Sequence, residues 1–152
     1  MTERELWRLR GQAFGALVML IIQFAIGVVV NLYVTLPKAD KGSGFFTAIG
    51  RAVSNGPASL AIHAILGLVI LLAAISLLVR GILARQRVVI PLSAVGLLAV
   101  LAAASSGAGF VGNAKASASL GMALATAVAM LCYGTCLMAL SARATPAGQP
   151  ES

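Results

Sequence analysis

Hydrophobic positions along this 152-residue chain fall into four long runs separated by polar or glycine-rich connections. The runs extend from Phe14 to Leu36, Ala58 to Val79, Val88 to Phe110 and Ser119 to Leu140, and none contains Asp, Glu, Lys or Arg. A helix rising about 1.5 Å per residue crosses the ~30 Å hydrocarbon core of a bilayer in roughly 20 residues. One apolar run of that length would be ambiguous, because a buried globular helix can be apolar all round. Four in succession predict an all-α integral membrane four-helix bundle, built as two antiparallel transmembrane hairpins.

The connections divide the chain into an interfacial segment over 1–12, a four-transmembrane-helix domain over 13–142 and a disordered tail over 143–152. Trp7 among Arg4, Arg8 and Arg10 fits an anchor at headgroup level, or a helical extension of the first span. Leu36-Pro37-Lys38 reads as a membrane exit, so the first run is expected to be a retained span rather than a signal peptide. The longest connection, Pro37 to Pro57, holds Phe45–Ile49, too short to span and read as an interfacial helix. Pro57 and Pro91 lie at helix starts, where the missing amide donor costs little. The tail from Thr145 is polar and rich in proline.

Charge changes the picture through its placement. The net charge is +7, but only 10% of residues are charged and 60% are hydrophobic. Nucleic acid is therefore not the expected partner. Arg4, Arg8, Arg10, Arg80, Arg85, Arg87 and Arg143 fall on one side of the predicted bundle, and Lys38, Lys41, Arg51 and Lys115 on the other. That excess puts both termini and the 80–87 loop in the cytoplasm, an N-in/C-in arrangement. The expected location is the cytoplasmic (plasma) membrane of a bacterial cell.

Lipid offers apolar contacts as good as those of a neighbouring leucine, so helix association relies on small residues and internal polar contacts. Gly121, Ala125 and Ala129 form the clearest small-residue stripe, with Gly27, Gly67 and Gly96 as packing positions on the other helices. Gly107-Ala108-Gly109 has two readings: a tight helix crossing, or an unwound turn whose carbonyls meet water or ligand.

Polar residues gather toward the outer half. Gln23, Asn31, Tyr33, His63, Ser105, Ser106, Asn113 and Lys115 fall at similar predicted depth and form a candidate outward-facing polar pocket. His63, the only histidine, reads as a hydrogen-bonding packing residue, or as a haem ligand needing Met122, an open iron position or a second subunit's histidine. Cys132 and Cys136 share a helix face and read as packing residues. The spans hold no carboxylate for proton coupling, no serine–histidine–acid set can be built, and no metal-binding cluster is apparent.

The segment from Asn31 to Gly67 resembles the four-helix half-units of haem-handling membrane proteins, in which a helix-embedded histidine follows an external loop. This chain lacks their second histidine. The chain is also similar in size to small multidrug exporters and four-helix fluoride channels, without the membrane carboxylate of the first or the Phe/Thr/Ser motifs of the second. Three functions follow as expectations. The foremost is a non-enzymatic accessory or structural membrane subunit, or a homo-oligomer, whose partners are the bilayer and other subunits or itself. A transporter or channel for a small polar or anionic solute would use Asn31 and His63. A haem-binding protein would use His63 as axial ligand.

Overall fold

The computed structural model describes residues 3–33, 47, 50, 53–54, 57–113 and 116–142, with the backbone alone for 110–113 and 116. Four helices account for nearly all of it: α1 (Glu3–Tyr33), α2 (Ala58–Leu83), α3 (Val89–Asn113) and α4 (Ala116–Ala142). All four are long and apolar enough to cross a membrane. Each helix packs on two others, α1 on α2 and α4, and α3 on α2 and α4, which closes the four into a ring. The widest contact is between α3 and α4.

Buried positions explain the ring. On α1 they fall at Leu6, Leu9, Ala13, Ala16, Leu20, Gly27 and Val30, with half-buried Gln23 completing the series. The steps alternate between three and four residues, a heptad seam. On α2 the seam is Leu60, His63, Gly67, Ile70, Ala74, Leu77 and Gly81. On α3 it is Val89, Ser93, Gly96, Val100, Ala103 and Gly107, and on α4 Met122, Thr126, Ala129, Tyr133, Cys136 and Leu140. A period of 3.5 residues keeps one narrow stripe facing the neighbouring helices, as in left-handed four-helix bundles. Positions beside the seam, such as Met19, Leu66, Leu97 and Met130, are partly buried against the core, and those opposite it are exposed. Phe14, Ile21, Phe24, Ile65, Leu72, Leu98, Leu124 and Leu131 are among the large apolar side chains that point outward. That surface suits lipid and would be costly in water.

The 1–12 segment is part of the first helix, which runs unbroken from Glu3 because Leu6 and Leu9 extend the seam beyond the apolar run. The guanidinium of Arg10 stacks 5.1 Å from the ring centroid of exposed Trp7. Pro57 precedes α2, its carbonyl accepting from the amides of Leu60 (2.9 Å) and Ala61 (3.1 Å). Pro91 sits in the first turn of α3. The interfacial helix expected over Phe45–Ile49 lies outside the described residues, apart from Thr47, which is helical. The tail over 143–152 also lies outside them. Helix α3 continues through Gly107–Gly109 without unwinding.

The α2–α3 turn is short and fully hydrogen-bonded. The amide of Arg85 donates to the Ile82 carbonyl (2.9 Å) and that of Gln86 to the Gly81 carbonyl (3.0 Å), the paired pattern of a Schellman motif. The left-handed residue that this motif needs is Arg85, at φ 50°. Glycine is usual there because a Cβ in that conformation costs about 1–2 kcal/mol. Arg85→Gly should therefore stabilise the bundle by about 1 kcal/mol, seen as a higher midpoint in thermal unfolding in detergent. An unchanged or lower midpoint would mean that the arginine side chain makes up for its backbone strain.

Candidate functional site

Polar side chains on the seams are the ones that the fold brings together. On α1, Gln23 precedes Gly27 by one helical turn, and on α2, His63 precedes Gly67 by the same step. Because α1 and α2 run antiparallel, each large polar side chain meets the other helix's glycine. A Cβ on Gly27 would lie 3.0 Å from His63 Cε1, and one on Gly67 would lie 3.1 Å from Gln23 Nε2. Both side chains thus cross the interface over bare backbone.

The contacts of the pair restrict its chemical state. Gln23 Nε2 donates to the His63 carbonyl (2.9 Å) and lies 3.3 Å from His63 Nε2. The first contact orients the amide, since the glutamine oxygen in that place would repel the carbonyl. With the second amide hydrogen turned to the ring, Nε2 would accept it and the neutral imidazole would carry its proton on Nδ1. His63 Nδ1 and Gln23 Oε1 are both buried, and neither finds a protein partner. Each such group in an apolar interior costs about 1–3 kcal/mol.

The register continues this pairing along the bundle. Toward the α2–α3 turn, four successive layers contain only buried residues. They are Leu20, Ile70, Val100 and Ala129; Ala16, Ala74, Gly96 and Tyr133; Ala13, Leu77, Ser93 and Cys136; and Leu9, Gly81, Val89 and Leu140. Most of these residues belong to one contiguous core. Toward the opposite end, Gln23, Gly67 and Ala103 are half-buried beside buried Thr126, and His63, Gly107 and Met122 are half-buried beside buried Gly27. A small second core of Val30 and Leu60 lies beyond them on the α1–α2 face. The bundle is sealed in one half and looser in the other, and the Gln23–His63 pair sits where the two meet.

Of the eight residues of the expected polar pocket, six have described side chains, and these six do not all converge. Gln23 and His63 do. Asn31 and Tyr33 are exposed, with Tyr33 81% exposed, because they follow the seam position Val30 and turn outward. Ser105 is exposed and donates to the carbonyl of Leu101 on its own helix (2.9 Å). Ser106 is half-buried against α4, 3.2 Å from where a Gly121 Cβ would be. Asn113 ends α3, its side chain lies outside the described residues, and so does Lys115. Of the packing positions, Gly27, Gly67, Gly96 and Ala129 lie on seams. Gly121 and half-buried Ala125 flank the seam on α4.

Other polar contacts escape a reading based on depth. Gln12 Nε2 donates to Ser76 Oγ (3.1 Å) across α1 and α2. Ser93 and Thr126 return their hydroxyls to Ile90 (3.1 Å) and Met122 (2.8 Å) on their own helices. Fully buried Tyr133 has a hydroxyl without a partner. Cys132 and Cys136 are free thiols, both buried.

His63 Nε2 is engaged by Gln23, and the Cε1 edge of the ring faces Gly27. No group of three or more His, Cys, Asp or Glu side chains able to hold a metal ion occurs among the described residues. The fold and the site together define a four-helix bundle with candidate membrane spans and a polar pair in its seam. Comparisons with protein-family models, curated proteins and solved structures find no match.

Proposed function

We propose that this chain is a small, non-enzymatic integral membrane protein that works as a subunit of a membrane assembly, with other subunits or with itself. The observation that carries this reading is the division of its surface. Large apolar side chains are exposed along all four helices, while no group of His, Cys, Asp or Glu able to hold a metal ion occurs among the described residues. Such a body gains from association within the bilayer and offers little machinery for covalent chemistry.

Six arginines, Arg4, Arg8, Arg10, Arg80, Arg85 and Arg87, belong to the end that carries the α2–α3 turn. Their placement supports an N-in/C-in orientation in the cytoplasmic membrane. The sealed half of the bundle counts against an open path for solute through a single copy.

Native mass spectrometry of the tagged protein, extracted from its own membrane into lipid nanodiscs, tests the assembly. A complex of fixed stoichiometry, with a partner or a second copy, is expected. A monomer accompanied only by lipid at every concentration would defeat the proposal.

A further inference from the structure

We propose that Arg8 and Arg80 form a binding site for one anionic phospholipid, whose phosphate they share at the lipid-facing edge of the α1–α2 interface. The register of the two helices brings them together. Gln12 Nε2 donates to Ser76 Oγ across this edge (3.1 Å). In an antiparallel pair, four residues back along α1 and four forward along α2 are the same step, about 6 Å of rise toward the α2–α3 turn. From Gln12 and Ser76 that step reaches Arg8 and Arg80, on the same helix faces as the contact it started from. Their neighbours Leu9 and Gly81 share a buried layer, while the two arginines are exposed. The backbones at Arg8 and Arg80 are thus about as close as those of a glutamine and a serine in hydrogen-bond contact. The longer arginine side chains can then both donate to the oxygens of one phosphate.

Depth and charge select the ligand. The apolar run of α2 ends at Val79, directly before Arg80, which sets the pair at headgroup level. Among the described residues of this end, six arginines stand against two carboxylates, Glu3 and Glu5. That surplus attracts a headgroup of net negative charge and repels the ammonium of a zwitterionic choline lipid. Three residues the other way from Gln12 and Ser76, the edge is made by Gly15 and Ala73, both half-buried. A Cβ on Gly15 would meet no atom within 4 Å. Small residues and open space thus lie directly below the polar pairs, where an acyl chain of the same lipid would run. The site needs only that α1 and α2 cross a bilayer. It does not depend on a partner subunit, so a monomer that keeps this lipid would defeat the proposed assembly and leave the site standing.

Native mass spectrometry of the full chain, released from nanodiscs of phosphatidylcholine and phosphatidylglycerol in equal amounts, tests the site. One phosphatidylglycerol should stay bound at collision energies that strip phosphatidylcholine. In detergent, Arg8→Gln with Arg80→Gln should weaken the binding of phosphatidylglycerol roughly 30-fold. Arg4→Gln with Arg87→Gln removes the same charge from the same end and should weaken it far less. Both site arginines are exposed, so the helical circular dichroism should not change. If the double variant fails to fold, the single changes Arg8→Gln and Arg80→Gln give the same comparison. Equal losses in the two double variants would reduce the effect to bulk charge and overturn the site, as would equal retention of the two lipids. Displacement of the lipid by inorganic phosphate, beyond that caused by chloride at the same ionic strength, would mark a site for the free anion and also overturn it.

Discussion

Gly96→Ala should destabilise the bundle by about 2 kcal/mol, within the range for overpacking a closed core. The new methyl carbon would lie 2.8 Å from Tyr133 Cζ, 2.9 Å from Cε1 and 3.0 Å from the hydroxyl oxygen. An aromatic ring cannot fold away from such a contact as the tip of a lysine or methionine can. Tyr133 has no exposed surface, and its layer is completed by Ala16 and Ala74, themselves enclosed. The relief must therefore come from α3 and α4 moving apart along the widest contact in the bundle. Unfolding in a graded detergent mixture should show the loss, and adding Tyr133→Leu to Gly96→Ala should restore part of it. A Gly96→Ala protein as stable as the parent would show that the ring is not wedged against the glycine.

Ala129→Leu should cost a similar amount, about 2–3 kcal/mol, and should do so without changing the oligomeric mass. The stripe of Gly121, Ala125 and Ala129 reads from the sequence as a surface for another helix, and nothing in its spacing tells whether that helix belongs to the same chain. In the structure the helix is the chain's own. Ala129 is fully buried in the core cluster that also holds Leu20, Ile70 and Val100, and Gly121 receives the Ser106 side chain of α3. Thermal unfolding and light scattering on one sample separate the two uses. A variant that keeps its midpoint but loses mass would show that Ala129 faces a neighbouring subunit instead.

The four helices were legible because hydrophobic length is a property of composition, and composition survives being read in one dimension. Their ends were less so. The α1 backbone continues past the apolar run to Glu3, where Leu6 and Leu9 carry the seam outward under charged neighbours. The site was legible only in part, for a geometrical reason. Distance from the end of a span gives depth but not direction around the helix. Asn31 and Tyr33 lie a turn or more beyond Gly27, which meets His63, and one residue beyond Val30 is about 100° of rotation, enough to move a side chain from the interior to the surface. Direction was present in the sequence as the alternation of three- and four-residue steps through Leu6, Leu9, Ala13, Ala16, Leu20, Gln23, Gly27 and Val30. Traced on α2, the same rule passes through His63 and Gly67. Polar residues on those two lines mark the pair, whereas counting residues inward from the membrane surface does not.

The uneven filling of the bundle also bears on how it stores its stability. Four dense layers near the arginine-rich end hold most of the contiguous core, so that half should act as the last cooperative unit to open. The other half, with glycine, alanine and serine along much of its interior, carries little of that reserve. Its helices should therefore part first when the bundle is loosened, while the dense half keeps their register, much as the arms of a clothes-peg turn about a fixed spring.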